Sequence, residues 1–465
     1  MLPPIRMGFF VVAVCLATPV LLQAQAVGWR TDGTGRYPAA QPVTEWAKDT
    51  NILWATPLPG SGNAIPVLAG DRIFTTVEPS TVVCVNAGDG VILWAKTNSY
   101  EDVLGAEASE QIRQAAVLNR DVQKAEQEVN KLKEQIKKAQ KNQQPEEKLQ
   151  ELRQPLAPAE KALGEAREKL KPFEQYALPA THAVNGFASA TPVSDGKRVF
   201  AVFGTGVVAA YDAAGNRLWA RLLEKPQHAW GHSASPVLVG GKLLVHIRDL
   251  VAFNPGDGKE LWRVKAKPAW GTSFPFAIGG VDMVAVPCGM VVRVADGKIL
   301  AQGLPALEYN SPLVQDGVLY WIQSEAIAYK LPTEPSEELK LDPLWKVSIP
   351  KDRYYASPLV HDGVLYAVNQ VAMFSALDAA TGQVLYQQKL DLGKGQIYPS
   401  ATLGGAGVYF GGESGVVCVL APGREYKLLT RNASLEKSRS SPVFRGDRLF
   451  LHTLNTLYCI GKKEG

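Results

Sequence analysis

The chain has few cysteines and no pattern that would tie them together. After Cys15 near the N-terminus, only Cys84, Cys288, Cys418 and Cys459 remain among 465 residues. They are too sparse for a disulfide framework and lack the C-x-x-C spacing of a zinc site. Three sit mid-strand in matching phrases, TVVCVN, GVVCVL and TLYCIG, where a free Cys packs as a small hydrophobe; a Cys84 to Cys459 bridge is the alternative. An excess of one charge is missing too: 49 basic residues against 45 acidic ones leave a formal +4, which gives no reason to expect nucleic acid as a partner. There is also no G-x-S-x-G elbow, no Walker loop and no H-E-x-x-H helix, so the common serine-hydrolase, nucleotide-hydrolysing and zinc-protease signatures are all excluded.

What is present begins at the N-terminus. Arg6 precedes an apolar run from Gly8 to Leu22, and Ala24-Gln25-Ala26 supplies a small-x-small cleavage site. This pattern predicts a signal peptide over 1–26 and export to the periplasm or the exterior. The run is shorter than the ~20 residues of a spanning helix, so no membrane span is expected after cleavage; a retained anchor is the alternative. Cys15 makes a poor lipidation site, because Val14 precedes it.

One phrase then recurs eight times: NAIPVL, SATPVS, SASPVL, SFPFAI, NSPLVQ, ASPLVH, PSATLG and SSPVFR. With Pro66, Pro192, Pro236, Pro275, Pro312, Pro358, Ala401 and Pro442 as the register, the later spacings run from 37 to 46 residues, the period of a four-stranded blade. Within each unit alternating apolar strands are separated by turns, such as N-A-G-D-G at Asn86, D-A-A-G-N at Asp212, N-P-G-D-G at Asn254 and D-A-A-T-G at Asp378. An Asx residue opening the turn and a later Gly suit tight antiparallel connections. The last unit stops one strand short after Tyr458-Cys459-Ile460, whereas Asn51-Ile52-Leu53-Trp54 resembles a final strand with no unit of its own. The expectation is an all-β, eight-bladed β-propeller of four-stranded antiparallel blades, closed by that N-terminal strand.

The phrase A-x-D-x-x-T-G-x-x-x-W/Y and its repetition over 43–461 resemble the quinoprotein-like (PQQ-like) repeat propellers. That resemblance implies one of three things: a quinone-dependent alcohol or glucose dehydrogenase, the propeller lipoprotein of outer-membrane β-barrel assembly, or an exported binding protein. A dehydrogenase would hold pyrroloquinoline quinone, usually with calcium, and the alcohol dehydrogenases add adjacent cysteines; no Cys-Cys pair exists here. The expectation is therefore a non-catalytic scaffold with no cofactor, engaging a protein or cell-envelope component. PQQ-dependent dehydrogenase and outer-membrane assembly factor are the alternatives.

Between Pro66 and Pro192 about 84 residues exceed one period, and after Tyr100 the composition shifts to Glu, Lys, Gln and Ala. Val122, Ala125, Val129, Leu132, Ile136 and Ala139 recur in steps of three and four, and after the break at 141–145 the pattern resumes from Leu149 to Phe173. This spacing predicts an antiparallel α-helical coiled-coil hairpin over 101–176, kinked by Pro155 and Pro158. It would project roughly 45 Å from the face carrying the D–A and B–C loops and mediate association. The division is 27–100 for the closing strand and first blade and 177–465 for the remaining blades.

No catalytic or metal-binding residue is assigned. His228 and His232 lie four apart but lead into a strand rather than a helix, which does not align them for a metal. An aromatic precedes the first strand of most units: Phe187, Trp230, Trp270, Tyr309, Tyr355 and Tyr398. With His232, Arg353, Lys394 and Arg439 beside them, they suggest a partly cationic, aromatic funnel mouth for an anionic small molecule or a peptide terminus. Packing between blades is the alternative role. The expected ligand-binding set is Trp230, His232, Trp270, Tyr309, Arg353, Tyr355, Tyr398 and Arg439.

Overall fold

A computed structural model describes residues 26–463; the expected signal peptide and Cys15 lie outside them, save for Ala26. The repeats form eight four-stranded antiparallel blades. Blade 6 is typical, with strands A to D at Leu359–His361, Val364–Val368, Met373–Asp378 and Val384–Lys389. Strands B and C are buried over most of their length because both faces meet a neighbouring blade, whereas strand D is largely exposed. This explains the near-continuous apolar runs in the middle of each unit.

The repeat residues explain how one blade grips the next. The Asx residue caps its turn: Gly88 N donates to Asn86 Oδ1 and Gly256 N to Asn254 Oδ1, both at 2.8 Å. The turn's Gly has positive φ and lies under the strand-D tryptophan of the preceding blade; a Cβ on Gly215, Gly258 or Gly382 would come within 2.8 Å of Trp94, Trp219 or Trp345 respectively. Each of those indoles donates Nε1–H to a carbonyl of the same turn, Trp94 to Ala213 O, Trp219 to Pro255 O and Trp345 to Ala379 O, at 3.0–3.1 Å. The repeated Gly and Trp therefore form one clasp, seen from its two sides.

Closure follows the sequence reading. Ile52–Pro57 pairs antiparallel with Thr456–Ile460 and supplies strand D of blade 8. Its Trp54 packs on Gly90 of blade 1, as its counterparts do elsewhere. His452 of blade 8 meets Ala64 O at 2.8 Å and Thr75 Oγ1 at 3.0 Å, both on the blade 1 side. The Cys84 to Cys459 bridge does not form. Both are free and buried, and burial pushes both thiols up to about 12.

A segment before Ile52 adds an element with no counterpart in the repeats. Val27 bridges Ser194 of blade 2, and Arg36–Tyr37 joins the inner edge of blade 7 as a fifth, parallel strand. Between them Arg30 is almost wholly buried and donates to Pro358 O, Ala401 O and Thr34 O at 2.7–3.1 Å. The segment thus crosses from blade 2 to blades 6 and 7, near the inner strands.

The insertion is helical: α1 (Tyr100–Leu104), α2 (Ser109–Lys141), α3 (Glu146–Arg153) and α4 (Leu156–Leu170). The ion pairs Arg167–Glu126 and Lys133–Glu160 fix α4 antiparallel to α2, and Val122, Val129 and Leu163 are buried between them. The 33 residues of α2 span about 50 Å. Pro155 interrupts the second limb between α3 and α4. Pro158 falls in the first turn of α4, where a missing N–H costs no helical bond. Among the described residues no helix is long and apolar enough to cross a membrane.

Candidate functional site

All eight blades contribute to one cavity of about 400 Å³ at the centre of the ring. Seven of the eight expected residues line it: Trp230, Trp270, Tyr309, Arg353, Tyr355, Tyr398 and Arg439. Each sits three to six residues before the register position of its blade, so a recurring stretch of the repeat becomes a ring in space. The aromatics touch in sequence. Trp270 stacks on Tyr309 at 5.7 Å, Tyr309 meets Tyr355 edge-on at 5.0 Å, and Tyr355 stacks on Tyr398 at 5.0 Å. Arg353 lies over Tyr309 and Arg439 over Tyr398. The aromatics serve blade contact and cavity wall at once.

His232 does not line the cavity. It is buried behind the wall, with Nε2 unpartnered, and burial drives its imidazole down to about 4, helped by the nearby His246. His228 takes the position instead, edge-on to Trp270 at 4.9 Å, so the two histidines do not converge. Phe187 and Lys394 lie outside the lining, and Lys394 is exposed. The mouth is also less cationic than expected, because Arg439 is held by Glu413 at 2.7 Å. Arg353 makes no ion pair among the described residues.

Three parts of the wall escaped the sequence reading. The first is the chain returning from the helical hairpin. Val184 and Asn185 line the cavity, with Val184 O accepting from Arg439 at 3.0 Å and Asn63 at 2.9 Å, while Asn185 donates to Trp230 O at 2.7 Å. Glu78 anchors the end of this segment by accepting the N–H groups of Phe187 and Ala188 at 2.7 and 2.8 Å. The second is Trp29, from the N-terminal segment, which is shared with a second cavity of about 490 Å³.

The third is a belt of hydroxyls one step further in. Ile65 N donates to Thr191 Oγ1, Thr191 N to Ser235 Oγ, Ser235 N to Thr272 Oγ1 and Thr272 N to Ser311 Oγ. Ser311 N then donates to Ser357 Oγ and Ser357 N to Ser400 Oγ, all six bonds being 2.8–3.0 Å long. Ser441 continues the belt by donating Oγ–H to Ser400 O at 2.9 Å. Ile65 is the gap. The signal was in the sequence as the Ser or Thr beside the repeat proline in SATP, SASP, NSP, ASP and SSP.

The resemblance to quinone dehydrogenases raises the question of whether a quinone and a hard cation fit this cavity. Such a cation needs several oxygen ligands with carboxylates among them, and no carboxylate lines the cavity. Among the described residues no cluster of His, Cys, Asp and Glu is arranged for a metal. The donor set present does not fit the pair.

A search of curated proteins finds none that matches. Among solved structures the chain is similar to BamB from Moraxella catarrhalis, at 11% identity and a TM-score of 0.54, covering 89% of this chain and 98% of that one. It is similar to a europium-containing methanol dehydrogenase at 11% identity and a TM-score of 0.58, covering 93% and 98%. At such identities these likenesses establish the propeller fold alone. A family model described as "Outer membrane protein assembly factor BamB" matches residues 181–269 and 246–465, more than half of the chain. On that match the chain belongs to the BamB-like propeller family.

Proposed function

We propose that this protein is a non-catalytic binding scaffold that works in the periplasm or outside the cell and engages a protein or cell-envelope partner through its funnel mouth and coiled-coil arm. The observation that carries the reading is the return segment of the arm: Val184 and Asn185 are part of the cavity wall, so mouth and arm form one continuous surface. A partner seated on the arm reaches the mouth without crossing a blade. The family's description as an assembly factor supports a role carried out by contact with other proteins. The wall offers aromatic rings, hydroxyls and arginines, which are recognition groups. A dehydrogenase would need a hard-cation site that this wall does not provide.

The test is site-specific photo-crosslinking in the native host, with the reactive residue placed at Tyr355 in the mouth and, separately, at Lys137 on the exposed side of α2. One shared adduct from both positions is the expected result. No adduct from either would sink the reading. Turnover of an alcohol or sugar by the purified protein loaded with quinone and calcium or a lanthanide would replace it with the enzyme reading.

A further inference from the structure

We infer that the hydroxyl belt at the centre of the propeller is an oxyanion site, built to take a carboxylate carried on an apolar or aromatic body. The inference rests on the binding role proposed above and names the chemistry of what is bound. Thr191, Ser235, Thr272, Ser311, Ser357 and Ser400 each accept one backbone N–H from the preceding blade. None of the six donates its own hydroxyl proton to a protein acceptor among the described residues, and all are more than nine-tenths buried on the cavity wall. A hydroxyl that accepts a hydrogen bond becomes a stronger donor, and a buried donor left unused is costly. Six such donors around one axis call for a ligand rich in acceptors.

Arg30 adds a positive charge behind the belt, outside the cavity lining, that favours an anion. Its guanidinium donates to the carbonyls of Pro358 and Ala401, the residues next to Ser357 and Ser400 of the belt. It is 1% exposed and makes no ion pair among the described residues, and Trp29, whose ring lies 5.2 Å from it, forms part of the cavity wall. A buried cation needs a counter-charge; Asp32, two residues on, supplies part of it, and no carboxylate of the protein lines the cavity itself. Arg353 adds a second cation at the mouth. Above the belt, the rings from Trp270 to Tyr398 offer faces to an apolar or aromatic group. The anion can come from a free small molecule or from the end of a polypeptide; both present the same carboxylate.

The test is titration of the purified protein with the tetrapeptide acetyl-Gly-Gly-Ser-Phe as the free acid, with its C-terminal amide, and with N-acetylphenylalaninate, read by tryptophan fluorescence and thermal shift. The free acids are expected to bind saturably, at least tenfold more tightly than the amide, and more weakly at high salt. A stronger peptide acid identifies a chain end as the source; equal binding identifies a small carboxylate. Ser357→Ala and Arg353→Gln should each weaken the acid several-fold, and Ile65→Thr, which fills the gap in the belt, should tighten it. Equal binding of acid and amide, or none up to millimolar concentration, would overturn the inference in the wild-type protein whatever the variants do. A cross-linked partner with an acid-blind cavity would remove only this inference; acid binding without an adduct would remove the scaffold reading instead.

Discussion

Gly382 meets two demands at once. Its φ of +74° is costly for any residue with a Cβ, and that Cβ would lie 2.7 Å from the Trp345 ring of the preceding blade. Gly382→Ala should therefore lower stability by about 2–3 kcal/mol, and Trp345→Phe by ~1 kcal/mol for the lost bond to Ala379 O, in denaturant melts. The buried histidines set the acid limit. His232, His246 and His452 are each driven down to about 4 by burial, while the unfolded chain takes up these protons near 6.5. Between the two values the unfolded state binds more protons, so stability falls as pH drops from about 6.5 to about 4. The slope is ~1.4 kcal/mol per pH unit for each imidazole. His452→Gln should shallow that slope by about a third across the window. The turn residues and the mouth aromatics were legible because each recurs in the same stretch of the repeat. His232 misled because it lies two residues after Trp230, and in so tight a turn that step is enough to carry a side chain behind the wall.

The helical hairpin and its return segment act as one element with a firm root. Tyr100 O–H donates to Thr205 O at 2.6 Å, and Lys225 Nζ lies over the Tyr100 ring while donating to Glu174 O and Ala177 O. The two ends of the insertion therefore meet at one lysine. Replacing 101–176 with a short Gly/Ser joint should leave the blades folded and change the melting temperature by no more than a few degrees, because closing so short a span is cheap. Glu78→Ala should act differently. It strips the acceptor from two backbone N–H groups, so amide exchange should accelerate at 184–188 while the strands of blades 3 to 7 keep their protection. The helices were readable from their apolar spacing. The path of the return segment was not, since Val184 and Asn185 sit in no repeat and carry no periodic signal; their place follows from tertiary bonds to Asn63, Trp230 and Arg439.

At the scale of the whole molecule, the repeat count, the blade order and the closing strand could all be read from one recurring phrase and its one incomplete copy. The N-terminal segment could not. Trp29 and Arg30 belong to no period, and only the assembled ring gives Arg30 its carbonyl partners on blades 6 and 7. Closure also fixes an order of events. Strand D of blade 8 lies at Ile52–Pro57 and its partner at Thr456–Ile460, so roughly 400 residues of chain separate two neighbours. Joining them costs on the order of 5 kcal/mol in chain entropy. The strand Ile52–Pro57 has no ladder partner until Thr456–Ile460 has been made, so closure is a late step of folding. It also brings the N-terminal strand beside the C-terminal one. A circular permutant that joins these ends and opens the chain at an exposed strand D turn would supply both strands of that pair within one hairpin, and should refold faster than the native order.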